Sequence, residues 1–266
     1  MPKVSVIMGV YNATDKLILE KAINSILNQT FKDFEFIICD DGSSNNSLEL
    51  VKEICKDDER VVLLQNKENK GLAYVLNKCL EHSKGEYIAR MDSDDLCDLT
   101  RFEKQVKFLD ENKDYGIVGT NADMFDDEST WGELKYNEDI KKEDFLYNSP
   151  VIHASIMIRK SVYDLVGGYR DIPMTLRVED YDLFMRIFAK GIKIYTIQEN
   201  LYKFRVDKNT ESRRKYRYRF NEARVRYQGF KLLKLYPKGI IYVIKPLIVG
   251  LLPQRLRRLK GLGGKK

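Results

Sequence analysis

Three carboxylates stand within four residues at Asp92-Ser93-Asp94-Asp95, at the end of the β-prone run Tyr87-Ile88-Ala89-Arg90-Met91. Side chains at i and i+2 of an extended chain point the same way, which aims Asp92 and Asp94 at one point. Carboxylates that close repel and desolvate each other unless a proton or cation lies between them. A hard divalent ion with oxygen ligands, Mg²⁺ or Mn²⁺, suits that place, and such ions commonly bridge to substrate phosphates. The plain alternative is an acidic turn leading into a helix that starts near Thr100. A second acidic group, Glu179-Asp180-Tyr181-Asp182, precedes the apolar helical face Leu183, Phe184, Ile187 and Phe188. There the plain reading is a helix first turn whose dipole favours negative charge. A third pair, Asp40-Asp41, leads into Gly42-Ser43-Ser44.

The surrounding pattern says what positions them. Residues 4–10 form an apolar run broken only by Ser5, and 34–39 one broken only by Glu35, the pattern of strands covered on both faces. Residues 60–64 read as a third strand and 87–91 as a fourth, with helical stripes between them at 17–27, 48–55 and 71–82. Strand and helix in alternation predict an α/β fold with a doubly wound sheet. Ligands in such sheets collect beyond the carboxyl ends of the strands. Three of the four strands end there in polar residues: Tyr11-Asn12, Asp40-Asp41-Gly42-Ser43 and Asp92-Ser93-Asp94-Asp95. Five carboxylates on one edge call for a cationic ligand. Further along, 101–111 reads as a helix, 116–120 as the start of a strand, 126–148 as a polar surface excursion, 153–158 as a strand and 162–166 as a short helix closed by Gly167-Gly168.

The 266 residues, 43% hydrophobic and 11% aromatic, suffice for a sizeable core. The net charge of +6 hides a division: residues 203–266 carry 20 Lys and Arg against Asp207, Glu211 and Glu222, so the preceding 202 residues are net acidic. Four scattered cysteines without a C-x-x-C pair, and only His82 and His153, argue against a zinc site and fit a reducing compartment. The N-terminus turns polar too soon, at Tyr11-Asn12, for a signal peptide.

Five motifs then stand in order: Val4-Ser5-Val6-Ile7-Met8 with Tyr11-Asn12; Asp40-Asp41-Gly42-Ser43; Gly85-Glu86-Tyr87-Ile88-Ala89-Arg90 with Asp92-Ser93-Asp94-Asp95; Gly167-Gly168-Tyr169-Arg170; and Glu179-Asp180-Tyr181-Asp182-Leu183. Over roughly residues 3–205 this set resembles family 2 glycosyltransferases, inverting nucleotide-sugar-dependent enzymes with the GT-A fold. The resemblance implies that the segment around Gly9 and Tyr11 lines base and ribose, and that Asp41, with Asp40 beside it, accepts the uracil N3–H or its equivalent. It places Asp92 near ribose and metal, Asp94 on the Mg²⁺ or Mn²⁺ that clamps the diphosphate, and the catalytic base at Asp180, with Glu179 or Asp182 as substitutes. A uridine nucleotide is a family-level expectation, as is work on cell-surface polysaccharide. The chain departs from the family where Arg205-Val206-Asp207 stands in place of an Arg-x-His pattern. His153 either assists the diphosphate or is a packed side chain; Lys70 and Arg90 either meet phosphate or balance acids.

A catalytic domain at 1–205 is thus followed by a basic tail at 206–266. In the tail, Tyr216, Phe220, Ala223, Tyr227 and Phe230 form a helical stripe. The apolar run 239–252, interrupted by Lys245-Pro246 and followed by Arg255, Arg257, Arg258 and Lys260, falls short of the roughly 20 residues that span a bilayer. Its flanking bases suit an anionic membrane surface. The expected enzyme is therefore cytoplasmic and peripheral on the membrane's inner face, moving sugar from a nucleotide-sugar donor to a glycan or lipid-linked saccharide acceptor. Two competitors weigh less: a sugar-phosphate nucleotidyltransferase lacks its Gly-rich phosphate loop after the first strand, and a nucleic-acid binder would be repelled by the acidic body.

Overall fold

The computed structural model describes residues 1–206 and 216–251. Its elements run β1 (Val4–Val10), α1 (Lys16–Leu27), β2 (Phe34–Asp40), α2 (Ser47–Cys55), β3 (Val61–Gln65), α3 (Leu72–His82), β4 (Tyr87–Asp92), β5 (Leu96–Cys97), α4 (Arg101–Glu111), β6 (Tyr115–Phe125), β7 (Thr130–Leu134), β8 (Met157–Arg159), α5 (Lys160–Val166), α6 (Glu179–Ala189), β9 (Lys193–Arg205), α7 (Arg217–Leu232) and α8 (Ile240–Leu251). One mixed sheet runs β3-β2-β1-β4-β8-β6-β9-β5, with β7 hung on β6. The first four strands are parallel, and β8 then pairs antiparallel with both β4 and β6.

Period-two alternation splits the core between the two faces. Ile7, Ile37 and Ile88 enter the hydrophobic layer with α3 and α6, while Val6, Met8, Phe36, Ile38 and Ala89 enter the layer with α1 and α4. Each fully buried aliphatic side chain contributes about 1.5–3 kcal/mol, and the polar residues that interrupt the two runs, Ser5 and Glu35, are hydrogen-bonded to each other. Arg101, the first residue of α4, is wholly buried and donates to the carbonyls of Arg90 (2.9 Å) and Ile156 (3.2 Å), pinning β4 at its carboxyl end. Gly85 sits so close to β1 that a Cβ there would lie 2.5 Å from the Ser5 backbone nitrogen. Its N–H donates to Ser5 Oγ, which itself donates to the buried Glu35. This glycine serves the far edge of the sheet.

Two stretches differ from expectation. Of 153–158, only Met157 and Ile158 are strand; His153–Ser155 is a 3-10 turn. Ser155 Oγ takes the Thr120 N–H (3.1 Å) and donates to backbone carbonyls, the local competition by which a serine diverts backbone from a ladder. The excursion 126–148 contains β7, turned back onto β6 by Asp126, whose carboxylate accepts from the N–H groups of Glu128 and Ser129.

Candidate functional site

The carboxyl ends of β1, β2 and β4 meet because β1 lies between the other two: Gly9 is in register with Asp92 on one side and Cys39 on the other, and Val10 with Asp40. A Cβ on Gly9 would meet Val75 Cγ1 at 2.8 Å, so α3 packs against the strand end there. The loops above are tied together. Asn12 donates its N–H to Ser43 Oγ and accepts the Ser44 N–H, both at 2.9 Å. Gly42 holds φ +67°, and a side chain there would strike the Glu68 backbone at 2.5 Å. Tyr11, 51% exposed, stands at the mouth.

The two aspartates of β2's end differ sharply. Asp41 accepts four hydrogen bonds, from Asn66 Nδ2 (2.8 Å), Asn69 Nδ2 (2.9 Å) and the backbone N–H groups of Lys70 (2.9 Å) and Gly71 (2.8 Å). Its carboxylate fixes the β3–α3 loop. Asp40 accepts the Ser43 N–H with Oδ2 (3.1 Å), while its buried Oδ1 has no partner.

Asp92, Asp94 and Asp95 each bring a carboxylate oxygen within 4.8 Å of the others, close enough to share one cation. Strand geometry reaches only to Asp92; Ser93-Asp94 is a turn that swings Asp94 and Asp95 round. Arg90, two residues before Asp92 on the same strand face, grips it with both terminal nitrogens, Nη1 to Oδ2 at 2.7 Å and Nη2 to Oδ1. Asp95 is buried and accepts from Tyr202 Oη (2.8 Å) and the Arg205 N–H (2.7 Å). Burial and the charges of Asp92 and Asp94 push its carboxyl well above the ordinary range. The three acids therefore form a cation-seeking set of hard oxygens, the donor chemistry of Mg²⁺ or Mn²⁺. Arg205 meets no second basic partner here: its guanidinium donates to Asp127 (2.6 Å) and the Asp94 carbonyl (3.2 Å). Asp207 lies outside the described residues.

The acidic start of α6 sorts its own members. Asp182 is buried and bound to Arg186 Nε (2.8 Å) and Arg170 Nη1 (3.2 Å), a structural ion pair. Glu179 and Asp180 have no such pair among the described residues. Burial, reinforced by Asp180, raises Glu179 to about 7. Burial also raises Asp180, opposed by the Tyr181 N–H, the Arg90 charge and the Ser149 hydroxyl. Next to them His153 Nε2 meets Tyr169 Oη at 2.7 Å, and Tyr169 Oη meets Tyr163 Oη at 3.1 Å. Burial and the Arg90 charge drive the His153 pKa far down, so the ring is neutral. It is packed and satisfied, edge-on to Phe184 of α6.

Residues 5–167 match the family model described as glycosyl transferase family 2. The chain belongs to this family. The glycosyltransferase is 42% identical over 253 residues, 95% of this chain and 90% of the other, to a Bacillus subtilis (strain 168) protein named as glycosyltransferase EpsE. It is 31% identical over 205 residues, 73% of each chain, to the Escherichia coli UDP-Glc:alpha-D-GlcNAc-diphosphoundecaprenol beta-1,3-glucosyltransferase WfaP. Among solved structures it resembles the Pyrobaculum calidifontis mannosyltransferase PcManGT in complex with GDP-Man and Mn²⁺, at TM-score 0.64 and 18% identity, over 98% of this chain and 79% of that one. The fold is GT-A.

Sequence reading left Arg90 between a phosphate ligand and a balance for acids, and it balances Asp92; it passed over Ser149, Tyr202, Asn66 and Asn69. The i, i+2 rule that joined Asp92 to Asp94 would have found Arg90; the others come from distant segments. In the C-terminal part, α7 packs on α6 with a face different from the expected stripe. Ala223, Val225, Gly229 and Phe230 are buried, Arg226 donates to the carbonyls of Leu146 and Tyr147, and Tyr216, Phe220 and Tyr227 lie exposed. On α8, Ile241, Ile244, Ile248 and Leu251 form an exposed stripe at three- and four-residue steps beside Lys245. No helix of the described residues is long and apolar enough to cross a membrane.

Proposed function

We propose that this glycosyltransferase is metal-dependent and inverting, taking sugar from a nucleotide donor, a UDP-sugar, to a saccharide hydroxyl, free or lipid-linked, in cell-surface polysaccharide synthesis. The observation that carries this reading is the presence of two acidic sets of opposite character. One, Asp92-Asp94-Asp95, is poised for a cation; the other, Asp180 with Glu179, is half-buried, has no ion pair among the described residues and is raised in pKa, as a proton acceptor requires.

Asp94 and Asp92 would hold the cation, with Asp95 behind them, and Mn²⁺ or Mg²⁺ there would stabilise the charge of the departing diphosphate. Asp180 takes the acceptor hydroxyl's proton while that oxygen attacks the anomeric carbon from the face opposite the leaving group. At the base end the Asp40-Asp41 pair would accept the nucleobase N–H: Asp41 already holds four loop donors, while the buried Asp40 Oδ1 has no hydrogen-bond partner among the described residues. Gly9 and Tyr11 flank it. The mannosyltransferase neighbour, solved with GDP-Man and Mn²⁺, supports a nucleotide-sugar donor and the metal. The E. coli relative's name supports UDP and a lipid-linked acceptor.

The exposed α8 stripe, with Lys238 and Lys245 beside it in no ion pair among the described residues, supports docking on anionic lipid at the inner face of the cell membrane. Calorimetric titration of the chain with UDP, with and without Mn²⁺, tests the donor reading. Binding that ignores the metal would defeat it.

A further inference from the structure

The side of α7 turned to the protein grips two chain segments that lead to the start of α6. Arg226, its side chain 4% exposed, donates to the carbonyls of Leu146 (2.8 Å) and Tyr147 (3.0 Å) and lies over the Tyr181 ring of α6 at 5.2 Å. Tyr181 in turn donates its hydroxyl to the Phe145 carbonyl. Asn221, also on α7, donates to the carbonyls of Pro173 (3.0 Å) and Leu176 (3.2 Å). That second segment runs straight into α6: the Val178 N–H bonds the Thr175 carbonyl, and the Val178 carbonyl takes the Asp182 N–H. Both segments thus reach the turn that carries Asp180, and both are tied to α7.

Helix α8 adds one more tie. Tyr242, Val243, Pro246 and Val249 face the protein, and the Tyr242 ring meets Tyr147 edge-on at 5.4 Å, beside the carbonyl that Arg226 holds. The opposite side of α8 is the exposed stripe Ile241, Ile244, Ile248 and Leu251. No acidic residue follows Glu222, whereas Lys238 and Lys245 flank the stripe and Arg255, Arg257, Arg258 and Lys260 come soon after it. Aliphatic side chains set among bases alone match a surface that offers hydrocarbon and negative charge together, an anionic bilayer.

We propose that a bilayer covering α8 acts on the acceptor side of the site, through Tyr242 on Tyr147 and through the hold of α7 on its two segments, so that docking tightens residues 145–147 and 173–178 beside Asp180. The proposal rests on the readings of α8 as docking face and of Asp180 as base. Ordering one element orders what is packed on it. The ties of the donor edge, Asn12 with Ser43 and Asp41 with residues 66–71, involve neither helix.

Amide hydrogen exchange of the full-length chain, read by mass spectrometry beside flotation of the same samples, tests this without an identified sugar. Phosphatidylglycerol vesicles should slow exchange in 145–147 and 173–178 by about fivefold or more, the low end of coupling between sites, and leave 66–71 unchanged. Phosphatidylcholine vesicles should do neither. Tyr147→Ala, at an exposed ring, should keep flotation and lose the added protection at 145–147; Asn221→Ala should keep it and lose that at 173–178. Flotation with both segments unchanged would overturn the proposal and leave docking intact, as would protection undiminished in both variants. A wild-type chain that does not float removes the docking face and the proposal with it. Dimers of the vesicle-free chain, abolished by Ile241→Ser with Ile244→Ser and Ile248→Ser, would assign the stripe to a second copy and overturn it too. Exchange reads no chemistry, so its outcome is separate from that of Asp180→Asn on transfer.

Discussion

The donor edge and the acceptor side hold their carboxylates by opposite means. At the donor edge every acid but one oxygen of Asp40 is compensated or cation-ready: Asp41 by four donors, Asp92 by a two-toothed arginine, and Asp95 by Tyr202 and a backbone N–H. On the acceptor side Glu179 and Asp180 are half-buried and without ion pairs among the described residues, while Asp182, two residues on, is locked between two arginines. The same residue type is thus tied into a loop, gathered with other acids or left without an ion pair, according to what the fold places around it.

The contrast breaks most sharply at Asp180. Asp180→Asn should lower transfer roughly 10²–10⁴-fold, the span of a lost general base, while UDP titration stays unchanged; transfer at the wild-type rate would reassign the base. Asp94→Ala should weaken Mn²⁺-dependent UDP binding by roughly a hundredfold or more, because even outer partners of a metal ligand are worth about 10–100-fold. Asp182→Asn should cost stability, roughly 3 kcal/mol by denaturant unfolding, as a buried Arg186 loses its carboxylate; an unchanged midpoint would place Asp182 outside the structural pair. A smaller effect follows from pH. Glu179, near 7 when folded, takes up a proton that the unfolded chain, with an ordinary glutamate, does not. Stability should therefore rise as pH falls from 8 to 6.5. Below that, His153, buried neutral, works the other way. Thermal unfolding of Glu179→Gln should lack the rise. Smallest for folding is Ile241→Ser with Ile244→Ser and Ile248→Ser, which should leave the unfolding midpoint near wild type and abolish flotation with phosphatidylglycerol vesicles.

The donor half was legible because its signals are local. Apolar runs and polar strand ends located β1, β2 and β4 to within a residue, and Asp92, Asp94 and Asp40-Asp41 stand where those strands stop. The acceptor half is assembled from separated segments. Ser149, His153 and Tyr169 meet α6 only after β8 reverses direction, and nothing in their neighbourhoods signals it. Asp41 shows the limit from the other side: its type and place were plain, but the four donors that occupy it come from residues 66–71 of another loop. The α7 stripe held at Ala223 and Phe230, which are buried, and failed at Tyr216, Phe220 and Tyr227; Arg226, which the aromatic spacing left out, is buried too.

The packing of α7 on the base helix also sets an order in time. Val225, Phe230 and Leu233 complete the hydrophobic layer that holds Leu183 and Phe184, so α6 is not seated until the last fifth of the chain has left the ribosome. Strands β1 to β4 need nothing beyond residue 92 for their own pairing. Domains form as units, N-terminal parts first during synthesis. Strands β1 to β4 can therefore pair in a nascent chain well before α6 is seated against α7.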